Sequence, residues 1–220
     1  MHLDLSTESP KKLDIELLGL HQCLLDCRDE SIRPSIEHDI SLKERMIAER
    51  DDLLQRVLPG EQMWRIDGCG RCWYKATSQG LSASSNLELH DTFEEIIAKI
   101  IIVLRRIALE STMSNLRGHA ESLAQTVEKN SQDYAGNDEL IQIATSIAIN
   151  HELELISQGG AGTVYFPAAS AIHVGLSPPL DPPKGRLKFA HFEIGCHHFD
   201  CITKKKPESG KDEICRTLRT

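Results

Sequence analysis

The chain reads as an α+β fold: helices first, then a small, mostly antiparallel sheet packed against them. Three observations predict this. Apolar residues recur at helical spacing through the first two thirds of the sequence. From residue 152 the pattern changes to alternation with period two. The alternating segments are separated by Gly-Gly, Pro-rich and Gly-Cys breaks, which suit strands joined by turns.

Leu13, Ile15, Leu17, Leu18, Leu20, Leu24 and Leu25 predict an amphipathic helix over 12–28. Pro34 is placed to open a second helix over 35–57, stopped by Leu58-Pro59-Gly60. Its charges (Lys43, Glu44, Arg45, Glu49, Arg50, Asp51 and Asp52) read mostly as a solvated face. Trp64 and Ile66 form a short extended approach to a cysteine-bearing turn, and Trp73 to Ala76 can start a helix. The polar stretch 77–86 reads as a loop. Thr92 and Glu95 make a capping box for a helix carrying Phe93, Ile96, Ile97, Ile100, Ile101, Leu104 and Ile107. That helix is apolar nearly all round and is expected to be central. A weaker helix covers 113–129. Asn137 is placed to cap another, with Leu140, Ile141, Ile143, Ala144, Ile147 and Ala148 inward. Strands are expected at 152–157, 162–166, 171–175, 186–194 and 198–203, with a stiff loop over 177–183. No internal repeat is evident. The organisation expected is a helical extension over 1–60, either packed on the core as scaffold or forming a binding surface, a main domain over 61–204 and a polar tail over 205–220.

The 220 residues suit one domain with an appended helical segment, and 40% apolar with 26% charged residues is a globular composition. A net charge of −8 and 5% aromatic residues argue against a nucleic-acid partner, which calls for a basic face and stacking rings. Seven cysteines at uneven spacing do not form a disulfide framework, so a reduced, cytoplasmic setting is expected. The first residues lack a secretory pattern. The most apolar run, Ile96 to Leu104, is interrupted by Lys99 and falls short of the ~20 residues a membrane span needs.

Chemistry concentrates in two places: Asp67-Gly68-Cys69-Gly70-Arg71-Cys72-Trp73-Tyr74-Lys75-Ala76, and His197-His198-Phe199-Asp200 far downstream. Cys72 follows a glycine-bearing turn at the head of a possible helix. A helix N-terminus supplies partial positive charge and free N–H groups, which lower a thiol's pKa and can hold an oxyanion. His198 and Asp200 sit two apart in a strand, so both side chains point to one face and the carboxylate can orient the imidazole. Thiol, imidazole and acid are the parts of a cysteine-nucleophile hydrolase. The plain alternative is a buried structural cysteine and an ordinary His-x-Asp.

Cys72-Trp73-Tyr74-Lys75-Ala76 resembles the Cys-apolar-aromatic-Arg-Ala core of the OTU (ovarian tumour) family of cysteine proteases. His198-Phe199-Asp200 resembles that family's terminal His-Tyr-Asp strand. The stretch Tyr134-Ala135-Gly136-Asn137-Asp138-Glu139-Leu140-Ile141-Gln142-Ile143-Ala144 resembles its Gly-Gly-x-x-Glu-Leu-x-x-Leu-Ala helix. The blocks come in the family's order, and the resemblance spans 62–204. It implies a papain-type fold and a deubiquitinase that cuts the bond after ubiquitin's C-terminal glycine. Ubiquitin or polyubiquitin chains are then the partner, and no metal or cofactor is needed. Cys72 is then the nucleophile, His198 the general base and Asp200 the orienting acid. The backbone N–H groups of Arg71 and Cys72 form the oxyanion hole. The family's Asp-Gly-Asn-Cys is Cys69-Gly70-Arg71-Cys72 here, so an acid and an amide are replaced. Asp67 is an alternative acid, Cys69 an alternative nucleophile, and His197 a rival that the family's His-aromatic-acid order passes over. A bacterial effector delivered into a host cytosol would fit the divergent motif.

Other readings stay open at this level. Cys69 and Cys72 have zinc-knuckle spacing, and Cys196, His197, His198 and Cys201 can complete a ligand set for an interaction module. Cys-Gly-Arg-Cys also resembles a redox pair, without the preceding strand of a thioredoxin-like unit. A catalytically inactive OTU-like ubiquitin binder is the third. Cys23 and Cys27 are expected to face a core or partner. His151, His173 and His191 read as ordinary structural residues, and Lys204-Lys205-Lys206 as a solvated patch.

Overall fold

The computed structural model describes residues 9–66, 71–84, 93–129, 136, 138–158, 162–194 and 197–205. Among them are seven α-helices and five strands. In chain order they are α1 (Ser9–Asp26), α2 (Arg33–Gln55), β1 (Glu61–Trp64), α3 (Cys72–Ser84), α4 (Phe93–Glu110), α5 (Ser114–Lys129), α6 (Glu139–Ile149), β2 (Glu152–Ile156), β3 (Thr163–Tyr165), α7 (Pro167–His173), β4 (Arg186–Phe192) and β5 (His198–Lys204). The fold is α+β with a mixed sheet.

The strands lie in the order β1-β5-β4-β2-β3. Three neighbouring pairs run antiparallel, and β2 runs parallel to β4. Strand alternation sends successive residues to opposite faces, and both faces are covered. Leu153, Leu155, Leu187, Phe189, Phe199 and Cys201 join the main core, built with α3 to α7. Ile156, Ala190 and Ile202 face the other way and pack with Leu53 of α2 in a second, smaller core. The sheet is thus a middle layer, with α2 across one face and α1 resting on α2.

Trp73 anchors the main core. It is 1% exposed, and its ring stands 4.9 Å from those of both Phe189 and Phe199. Its indole N–H donates to Thr145 Oγ1 at 2.9 Å, so the buried polar atom is satisfied. Gly136 lies against it. A Cβ there would stand 2.9 Å from Trp73 Cγ and closer still to Trp73 Cβ, so any larger residue must displace the tryptophan.

Four sequence expectations are corrected. Residues 77–84 are helix, not loop: α3 continues to Ser84, and the Thr77 and Ser84 hydroxyls are satisfied within it by donating back to the carbonyls of Trp73 and Gly80, both at 2.8 Å. The small residues make the packing face. A Cβ on Gly80 would meet Cys201 Sγ at 3.2 Å and Leu187 Cδ2 at 3.3 Å, so glycine brings the helix down onto β4 and β5. Residues 171–173 are the end of helix α7, not a strand: Pro167 opens it, and Ala-Ala-Ser-Ala favours a helix over the short β-like run. The α6 cap is Asp138 rather than Asn137, its carboxylate accepting from Leu140 N–H at 2.9 Å; Asn137 lies outside the described residues, as do Thr92 and Tyr134. Glu49 is not solvated but 1% exposed. Helix α4 is central as expected, yet its outer face leaves Ile102 60% and Leu109 80% exposed. No helix among the described residues is long and apolar enough to cross a membrane.

Candidate active site

Cys72 is the first residue of α3, and the Arg71 carbonyl accepts from Lys75 N–H at 3.1 Å, which makes Arg71 the N-cap. The N–H of Cys72 therefore lies at the positive end of the helix with no intrahelical acceptor. The Cys72 side chain is 5% exposed.

His198 opens β5. Its Nε2 lies 2.8 Å from Asp200 Oδ1, and the Cys72 thiol stands near enough to the ring to help raise its pKa. With Nε2 engaged by the acid, Nδ1 is the nitrogen left for sulfur. The order sulfur–imidazole–carboxylate is that of a cysteine-hydrolase triad. Asp200 is 3% exposed, and its Oδ1 also accepts from Ile66 N–H at 2.8 Å. Ile66 follows closely on β1, so one carboxylate oxygen ties the chain leaving that strand to the imidazole.

Burial alone would lower the His198 pKa. The hydrogen bonds to Asp200 and Cys72, and the negative charge of both, outweigh it and push the ring up to about 10. The direction favours the protonated imidazole, because the acid beside it stabilises that form.

Phe192, the cross-strand partner of His198, stands 6.0 Å from it, ring to ring. His197 does not take the place of His198: its ring stacks on His191 at 5.7 Å, and His191 in turn lies on Phe199 at 4.3 Å. Burial, chiefly, lowers the pKa of His191. The Arg71 guanidinium stands 5.9 Å from the Phe93 ring centroid, and its buried Nε has no partner among the described residues. Tyr74 is fully buried, its hydroxyl unpartnered among the described residues. Burial, then the charge at Cys72, raises its pKa.

Asp67, Cys69 and Cys196 lie outside the described residues. Of the other cysteines named for zinc, Cys72 meets His198, whereas Cys201 is buried beneath Gly80 on the opposite face of β5 from His198. Among the described residues no group of three or more His, Cys, Asp or Glu is arranged to hold a metal ion. Cys23 is exposed and Cys27 half-buried.

Three supports escaped the sequence reading. Gly136 and Thr145 seat Trp73, next to the thiol. Gln142 donates to the Gly136 carbonyl at 3.1 Å and accepts from Tyr165 at 2.8 Å, fixing the turn before α6. Glu49 of α2 accepts from Glu193 N–H at 2.6 Å and Ile194 N–H at 3.1 Å, in the turn between β4 and β5. A signal for Glu49 existed: it stands one helical turn before Leu53, on the buried stripe. No protein-family model matches the chain, and no curated protein matches it either.

Proposed function

We propose that the protein is an OTU-like cysteine protease that hydrolyses the amide or isopeptide bond after the C-terminal glycine of ubiquitin. The observation that carries the reading is His198, held by buried Asp200 at 2.8 Å and standing beside Cys72 at the head of α3. The resemblance of the three sequence blocks to the OTU family supplies the substrate. The α+β architecture, with a nucleophile-bearing helix on a sheet whose strand carries the histidine and acid, suits a papain-type protease.

In the reaction Cys72 sulfur attacks the carbonyl carbon of the terminal glycine. The N–H groups of Arg71 and Cys72 stabilise the oxyanion. His198 gives its proton to the leaving amine, and the C–N bond breaks to leave a thioester. His198 then takes a proton from water, which attacks the thioester and releases the carboxylate and Cys72. Asp200 keeps the ring oriented throughout.

The test is reaction with ubiquitin carrying a C-terminal electrophile, followed by intact mass and peptide mapping. Adduct on Cys72, lost in Cys72→Ala, is the expected result. Adduct on Cys69 would move the nucleophile. No adduct on folded protein would end the catalytic reading and leave the ubiquitin-binder or zinc-module alternatives.

A further inference from the structure

We infer that Glu49 of α2 is a positioning residue for the candidate active site: by holding the two residues that follow β4 it sets where His198 stands, so α2 is part of the unit that forms the site. The inference rests on the proposed triad and names a residue outside the segment that resembles a protease. Glu49 is 1% exposed. A carboxylate is buried at a cost of several kcal/mol unless hydrogen bonds replace its water. Here the replacement comes from backbone. Oε1 accepts from Glu193 N–H at 2.6 Å, and Ile194 N–H lies 3.1 Å from Oε2 and 3.4 Å from Oε1.

These two N–H groups belong to the first two residues after β4 ends at Phe192, and Phe192 is the register partner of His198. A shift of these two residues therefore moves the end of β4, against which the imidazole is registered. The other end of the strut is fixed as well. Leu53, one turn along α2 from Glu49, is fully buried against Ile156, Ala190 and Ile202, one from each of the three central strands. Glu49 thus transmits the position of a helix seated on the sheet to the residues that follow β4, beside the register partner of His198. An apolar side chain could fill the same volume but could not grip two N–H groups.

The test uses the full chain with Glu49→Ala, Glu49→Gln and Leu53→Ala. One readout is the NMR titration of the His198 ring, which requires no substrate. The other is the rate of capture by the ubiquitin electrophile. Glu49→Ala is expected to displace the ring titration and slow capture about tenfold to a hundredfold, the scale of a misplacement near 1 Å. Glu49→Gln, which keeps one acceptor oxygen, should recover part of both. Leu53→Ala, which loosens the seat of the helix without touching the two N–H groups, should lower the unfolding midpoint and displace both readouts in the same direction as Glu49→Ala, but less. Folded Glu49→Ala with the wild-type ring titration would overturn the inference. Should Glu49→Ala not fold, Glu49→Gln decides: a displaced ring titration supports the inference, and an unchanged one overturns it. If wild type shows no capture at all, the ubiquitin reading fails, and the ring titration still judges Glu49.

Discussion

Replacing Asp200 separates the charge of the triad acid from its geometry, because one oxygen does two jobs. Oδ1 accepts from both His198 Nε2 and Ile66 N–H, each at 2.8 Å. In Asp200→Asn the amide oxygen can occupy that position and keep both bonds, so the ring stays oriented and only the negative charge goes. A hydrogen bond to a charged partner contributes about 1.5–3 kcal/mol and a neutral one about 0.5–1.5, so the change is about 1–1.5 kcal/mol, near tenfold in rate. Asp200→Ala loses both bonds, leaves a buried N–H unpaired and frees the ring. That sums to about 3–4 kcal/mol, or a hundredfold to a thousandfold. The assay is steady-state cleavage of a fluorogenic amide on the ubiquitin C-terminus across pH. The asparagine variant should also move the alkaline limb of the profile down, because Asp200 is one of the groups holding His198 near 10. Equal losses in the two variants would show that charge alone matters. Full activity in Asp200→Ala would remove the acid from the mechanism.

Cys72→Ala and His198→Ala should abolish cleavage with the fold intact by circular dichroism. Gly136→Ala should destabilise the protein by about 1–3 kcal/mol in urea, since its Cβ overlaps Trp73, and should slow cleavage because Trp73 adjoins the thiol. Tyr74→Phe removes a buried hydroxyl that has no partner among the described residues, so it should leave stability unchanged or raise it by about 1 kcal/mol; a loss of that size would reveal a partner. The folded-state pKa of His198, about 10, stands above its ordinary 6.5, so its contribution to stability is complete below 6.5 and is lost as pH rises through 10. The urea midpoint should therefore fall over that range, and fall less in Asp200→Asn.

The parts of the site that depend on spacing were legible in the sequence. Two residues along a strand return a side chain to the same face, so His198 and Asp200 had to share one. The turn before Cys72 and the helix-forming residues after it announced a helix N-terminus, and Cys72 is the first residue of α3. What failed was reading polarity as exposure. Thr77, Ser78 and Gly80 look like a loop, yet close approach to β4 and β5 demands small residues, and a helix can pair their hydroxyls with its own carbonyls. Glu49 failed for the same reason: its spacing from Leu53 put it on the inward stripe, but its charge was read as exposure, whereas backbone N–H groups hold it inside.

The division at residue 60 also looks different once the sheet is seen from both sides. A strand with alternating apolar residues on both faces needs two covers. In β5, Phe199 and Cys201 meet the main core, while Ile202 meets Leu53. The first strand, Glu61–Trp64, pairs with β5 and its continuation bonds Asp200 through Ile66, so the chain entering from α2 is tied to the acid within a few residues. The helices before residue 60 therefore close the open face of the strand that carries His198 and Asp200. Removing residues 1–60 would expose Ile156, Ala190 and Ile202 together and leave two N–H groups of the β4–β5 turn without their carboxylate. The resemblance to a protease begins at residue 62, but the physical unit that positions His198 and Asp200 begins earlier.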